Sequence, residues 1–126
     1  MNITTHIDQK LNLRIHKLVG KMDKDSFIDK LQAFYEQKEE FKKMHSIWDL
    51  THADMTSFSL DDLKSISSFV VQHWNTQGDC RAALIADSLL NSRITQLYAD
   101  QVNYCIEKSV NTFEDYDSAL QWIQEA

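Results

Sequence analysis

The sequence predicts an α/β domain with a mostly parallel sheet, and three observations predict it. Short apolar runs alternate with longer stretches in which apolar residues recur at helical spacing. Each helical stretch opens on an Asp or a Ser, the residues that cap helix N-termini. Successive strands after the second are separated by about one helix, a spacing that obliges them to run parallel through right-handed crossovers. The order is β-β-α-β-α-β-α-β-α, with an antiparallel edge strand at the N-terminus. At 126 residues the chain is read as one domain, 1–126, long enough to bury a sizeable core.

In order, residues 2–8 make an edge strand and Gln9-Lys10 a turn. Leu11, Leu13 and Ile15 then alternate with Asn12, Arg14 and His16, the pattern of a half-buried strand ending at Val19-Gly20. Its polar face is expected to be uncovered and free to pair with a second copy. Asp23 caps the first helix, with Asp25 in the first turn, where the helix dipole favours negative charge. Phe27, Ile28, Leu31, Phe34 and Tyr35 form its apolar stripe, which fades near Phe41. Lys30, Glu36, Lys38, Glu39 and Glu40 lie off that stripe. Residues 44–50 form the next strand, followed by a polar loop over residues 51–58. Ser59 caps the second helix with Asp62 three residues on, a capping-box spacing. Its stripe is Leu60, Leu63, Ile66, Phe69, Val70, His73 and Trp74, and Gln77-Gly78-Asp79 breaks it. Residues 80–86 are apolar on both faces, as in a central parallel strand. Asp87 or Ser88 caps a helix carrying Leu90, Ile94, Leu97, Tyr98, Val102, Cys105 and Ile106. Residues 110–113 form the last strand, and Asp115 caps a final helix with Ala119, Leu120 and Ile123 inward.

Net charge is −6, and residues 44–126 hold twelve acids against Lys64, Arg81, Arg93 and Lys108. An acidic surface repels phosphate backbones, so nucleic-acid binding is disfavoured. The longest unbroken apolar run, residues 82–86, is far too short to cross a bilayer, and the N-terminus has no signal-peptide pattern. These point to the cytoplasm and away from membranes. Cys80 and Cys105 have no metal spacing and read as small hydrophobes. The five histidines form no HxH or HExxH, so neither a metal site nor a cofactor is expected.

Four segments carry a family resemblance: Leu18-Val19-Gly20 before an acid-capped helix, Ile47-Trp48-Asp49-Leu50, Arg81-Ala82-Ala83-Leu84-Ile85-Ala86-Asp87, and the ending Thr112-Phe113-Glu114-Asp115-Tyr116-Asp117-Ser118-Ala119-Leu120-Gln121-Trp122-Ile123. Together they resemble the SpoIIAA-like group, related to STAS domains, with the last similar to a Phe-x-Asp-x-x-x-Ala-x-x-Trp-Leu ending. The resemblance implies a turning β-α superhelix and, more coarsely, a regulatory or ligand-binding role. In the signalling branch a Ser in Asp-Ser-Ser/Thr-Gly, between the third strand and the second helix, is phosphorylated by a partner kinase. The matching region here, Asp54-Met55-Thr56-Ser57-Phe58-Ser59, has no Gly and no adjacent Asp-Ser. Ser57 and Ser59 are the candidate phospho-acceptors. Phosphate there would gain from the helix dipole yet sit beside Asp61 and Asp62, so it would act as a disruptive switch.

Open α/β sheets bind ligands at the carboxyl ends of their strands. A ligand pocket is therefore expected among Gly20, Met22, Asp49, Thr51, His52, Asp87 and Ser88. His52 with Asp49 or Asp54 is the one acid–base pairing on offer, and a loop hydrogen bond explains these residues more simply. The expectation is a non-enzymatic domain acting through a protein partner or as a homodimer. The alternative is a carrier of a small apolar or acidic ligand.

Overall fold

The computed structural model describes residues 1–36, 43–74, 80–106 and 109–125. Among these the order is β1 (Asn2–Asp8), β2 (Leu13–Lys21), α1 (Lys24–Tyr35), β3 (His45–Asp54), α2 (Leu60–His73), β4 (Ala82–Ile85), α3 (Leu89–Cys105), β5 (Val110–Phe113) and α4 (Tyr116–Gln124). The strands form one sheet in the order β1-β2-β3-β4-β5, with β1 antiparallel to β2 and the other neighbours parallel. The expected fold class and element order are therefore present.

The caps explain where the helices begin. Asp23, Ser59, Ser88 and Asp115 each accept a hydrogen bond from a backbone N–H in the first turn. At Ser59 the box is reciprocal, the Asp62 carboxylate accepting from the Ser59 N–H at 3.0 Å. The hydrogen bonds from Ser26 and Ser118 hold the Asp23 and Asp115 carboxyls below the usual carboxylate range.

The sheet separates two cores. On one face α1, α2 and α3 cover Leu18, Leu50, Ala82 and Leu84 with Leu31, Phe34, Leu63, Ile66, Val70 and Val102. On the other, α4 covers Leu13, Ile47, Ala83 and Ile85 with Ala119 and Ile123. Fully burying each large aliphatic side chain contributes about 1.5–3 kcal/mol, so these stripes outweigh any single cap.

Several boundaries differ from the sequence reading. The first turn covers residues 9–12, and Asn12 sits in it at φ 52°, so Asn supplies the left-handed residue and Leu11 precedes the strand. β3 runs four residues past Leu50, because a register shift between Lys17 and Val19 lets the end of β2 pair with His52, Ala53 and Asp54. The stretch read as a polar loop thus begins as strand. Leu60 is 64% exposed, since the first residue of α2 projects beyond the sheet. The inward stripe of α3 is Asn91, Ile94, Thr95, Ala99 and Val102, leaving Leu90, Leu97 and Cys105 outside. The shift follows from Asn91, whose amide donates to the carbonyls of Leu50 and Ala53 at 3.1 and 3.0 Å. Tyr104, on the same helix, is 92% exposed. The fading of the first helix near Phe41, with Lys38, Glu39 and Glu40, and the break at Gln77-Gly78-Asp79 lie outside the described residues.

The polar face of β2 is the largest correction. Arg14 and His16 are only 1% and 3% exposed, beneath α1. β2 lies between β1 and β3, and its first half, which carries Arg14 and His16, has helices over both faces, while Lys17 and Lys21 further along remain exposed.

Candidate functional site

A cavity of about 60 Å³ lies between the sheet and the three helices. Ser46 and Ala82 are direct neighbours across β3 and β4, and both are small. The large side chains above cannot reach the floor between them. Leu31 and Tyr35 of α1, Ile66 and Val70 of α2, and Thr95 and Tyr98 of α3 form walls, with Trp48 and Leu50 of β3. The half-buried rings of Phe27, Phe58 and Trp48 border it.

The polar groups around this space are few. The Trp48 indole N–H donates to Ser46 Oγ at 3.0 Å, fixing the ring. Thr95 Oγ1 donates back to the Asn91 carbonyl at 2.8 Å and so offers the cavity mainly its methyl. Tyr35 is 7% exposed and Tyr98 half-buried. Among the described residues, neither phenol hydroxyl is one of the buried side-chain atoms left without a partner. Burial pushes both phenols well above the usual tyrosine value, and the two are close enough that charge on Tyr35 would oppose charge on Tyr98. Both remain neutral donors at any physiological pH.

Beside the cavity, on the same face, lies the Arg14 and His16 pair. The Arg14 guanidinium stacks 3.7 Å over the Phe34 ring, and burial lowers its pKa to about 10, leaving it charged at neutral pH. His16 packs against Trp48 with ring centroids 4.2 Å apart, and its Nδ1 lies 2.8 Å from Thr5 Oγ1. Its Nε2 is buried with no hydrogen-bond partner among the described residues. Burial first, and the Arg14 charge second, hold its pKa down to about 3, so the ring is neutral. A second hollow, of about 160 Å³, opens between this pair, β1 and α1, with Thr5, His16, Lys30 and Phe34 on its walls.

The residues expected to make a pocket are distributed differently. Met22 alone among them lines the cavity, at 1% exposed. It is held by its own N–H to the Asp54 carbonyl at 2.9 Å, and its carbonyl accepts from Ser57 Oγ at 2.7 Å. Gly20 takes φ 100°, a conformation that L side chains rarely adopt, at the end of β2. Asp49 alternates with Trp48 and Leu50 and so turns to the opposite face, where it accepts from the Thr51 N–H and hydroxyl at 3.1 and 2.8 Å. His52 is exposed, and among the described residues no hydrogen bond or ion pair joins it to Asp49 or Asp54. Asp54 instead accepts from Thr56. Asp87 is exposed, and Ser88 is consumed as the α3 cap. Of the candidate phospho-acceptors, Ser57 holds the Met22 carbonyl and Ser59 caps α2. Among the described residues no cluster of three His, Cys, Asp or Glu side chains is placed to hold a metal ion, and no helix is long and apolar enough to cross a membrane.

Sequence reasoning missed Tyr35 and Tyr98 as a pair, because both fit an apolar helical stripe. It missed Arg14 and His16 because alternation in a strand was read as inside against outside. The signal that could have found them was already present: a strand flanked by two others, with helices to follow, has two inside faces.

A crystal structure of an uncharacterised protein from the DUF3478 family of Shewanella loihica PV-4, with a SpoIIAA-like fold, is similar over 97% of this chain and 92% of that one. The TM-score is 0.59 and the identity 22%. The fold of the present chain is SpoIIAA-like. No protein-family model and no curated protein sequence matches it. In the SpoIIAA-like frame the cavity lies under the first three helices, on the sheet face opposite α4.

Proposed function

We propose that this SpoIIAA-like chain is a non-enzymatic binding domain whose ligand is a small, largely apolar molecule held between the sheet and α1, α2 and α3. The observation that carries the reading is the cavity of about 60 Å³ in the middle of the larger core, lined mainly by apolar groups. Interiors are packed as densely as organic crystals, and voids larger than a water are few. An enclosed space of this size would cost about 1 kcal/mol of stability. A cavity of about 150 Å³ accommodates benzene. The space here suits something smaller, or a five-membered ring if Phe27 and Phe58 yield.

The test is a methyl-NMR titration with methylenecyclopentane. Shifts confined to Leu31, Leu50, Ile66 and Val70, and abolished by Ala82→Leu, are expected. Uniformly small shifts that survive Ala82→Leu would reject the reading.

A second reading, contact with a protein partner or a second copy, draws on the exposed leucines at two helix starts. Leu60 is 64% exposed, Leu89 73% and Leu90 47%. β3 and β4 are parallel and adjacent, so α2 and α3 begin at the same end of the sheet. Phosphate on Ser59 would remove the α2 capping box beside this patch and so alter it. A stoichiometric partner captured by the native chain and lost with Leu89→Asp supports this reading. A monomer in light scattering at high concentration rejects the homodimer.

A further inference from the structure

The two edges of the sheet are finished differently. β5, at one edge, has four residues. Ser109 and Phe113 turn their carbonyls to the N–H groups of Ala82 and Ala86, so Thr112, one step from Phe113, turns its main chain outward. There the Asn111 side chain accepts the Thr112 N–H at 2.8 Å and blunts the edge. β1, at the other edge, has seven residues and pairs with β2 without a bulge. It contains no Lys and no Pro, residues that commonly guard an edge strand. Among the described residues its hydrogen bonds outside the ladder use its side chains, Thr5 with His16 and Asp8 with the Leu11 N–H. Alternate main-chain groups of β1 therefore face away from β2, with no strand beyond them among the described residues.

We infer that β1 pairs antiparallel with β1 of a second copy about a two-fold axis at Thr5, joining the two five-stranded sheets edge to edge. An axis normal to the sheet keeps each side chain on its own face, so positions of like parity meet. Centred on Thr5, all seven residues pair: Ile3 with Ile7, Thr4 with His6, Asn2 with Asp8, and Thr5 with its own counterpart. Centring on His6 instead sets His6 against His6 and Ile7 against Thr5. Centring on Thr4 sets Ile3 against Thr5 and leaves Ile7 without a partner. Cross-strand side-chain pairs are what stabilise a sheet, and like charges directly opposite destabilise it. The register at Thr5 matches isoleucine with isoleucine on one face and brings no like charges together. The polarity of Asn2–Asp8 reads alike from both ends, which suits a contact between two identical strands. This surface uses none of the cavity lining and none of the leucines at Leu60, Leu89 and Leu90.

Sedimentation velocity on the full chain, from low micromolar to millimolar concentration, tests the inference. The native chain is expected to dimerise, with exchange of the β1 amides slowing as concentration rises. Thr4→Lys/His6→Lys sets like charges opposite one another twice, and Thr4→Glu/His6→Glu does so with the other sign. Thr4 and His6 are exposed, so both variants should keep the native amide spectrum away from β1. Each alone is expected to weaken dimerisation by about tenfold or more, and an equimolar mixture to restore it, since Lys then faces Glu across the axis. A native chain that stays monomeric at millimolar concentration would overturn the inference and leave the apolar-cavity reading standing. A mixture that stays monomeric would overturn it as well. So would a dimer that survives both charge variants, and its loss with Leu89→Asp would place the contact at the leucines.

Discussion

On one face of the sheet, Leu13, Ile47, Ala83 and Ile85 meet Ala119 and Ile123 of α4, all of them aliphatic and at most 3% exposed. On the other, three helices cover a wider area that mixes Leu18, Phe34 and Val102 with Arg14, His16, Ser46, Ser67, Asn91 and Thr95. Both hollows described above lie on this second face. The contrast is one of packing. A short helix over a narrow aliphatic strip gives stability per residue with nothing left over. A broad three-helix roof is not matched everywhere by the side chains of the floor, and it leaves the two hollows.

The sharpest way to break this comparison is to truncate matched isoleucines. Ile47→Ala on the α4 face should cost about 4 kcal/mol by urea denaturation, near the upper end for such changes. Ile66→Ala, which borders the cavity, should cost about 2–3 kcal/mol, because its wall already lacks part of its contacts. Equal losses would mean that the two faces are packed alike.

The next effect comes from pH. His16 would take a proton near 6.5 when unfolded, but in the folded chain its pKa is held down to about 3. Between these values the unfolded state binds more protons, so stability is complete above the unfolded value and falls as the pH drops toward 3. At pH 4 the loss should be about 3 kcal/mol, read from urea midpoints between pH 4 and 7. His16→Leu should flatten that slope, and Ile47→Ala should not. Asp23, Asp54 and Asp115, whose folded pKa values are depressed, add stability only above the ordinary carboxylate range and lose it in stronger acid.

Smaller changes refine the contrast. Ser59→Ala removes one half of the capping box of α2 and should lower stability by about 1 kcal/mol, leaving the cavity's affinity for methylenecyclopentane unchanged. Ala82→Leu should raise stability by up to about 1 kcal/mol, read as a higher urea midpoint, while removing that affinity. A stabilised variant that still binds would place the ligand elsewhere.

The four helix caps and the element order were legible because each depends on a few neighbouring residues. Asp23, Ser59, Ser88 and Asp115 state their role within one turn of chain. The site was less legible because it depends on what lies across the sheet. Nothing local in Leu13-Arg14-Ile15-His16 says that both faces will be roofed. Nothing local in α3 says that Asn91 must turn inward to satisfy two carbonyls of β3, which rotates Leu90 and Leu97 outward. The cavity itself arises from two small residues, Ser46 and Ala82, that are 36 positions apart and meet only through strand register. Met22 alone of the residues placed at the strand ends lines it, since the floor is set by this pairing and not by where the strands stop.

Spatial strand order repeats chain order from β1 to β5. Each new strand can therefore settle against the one made just before it, closing first a short turn and then three loops of similar and modest length, which keeps the entropic cost of each addition low. The sheet and its three-helix roof can assemble in step with synthesis. The reverse side cannot, because Leu13 and Ile47 wait for Ala119 and Ile123 from the other end of the polypeptide. A nascent chain stopped before α4 would present a bare aliphatic strip, and that is the interval in which a chaperone would find it.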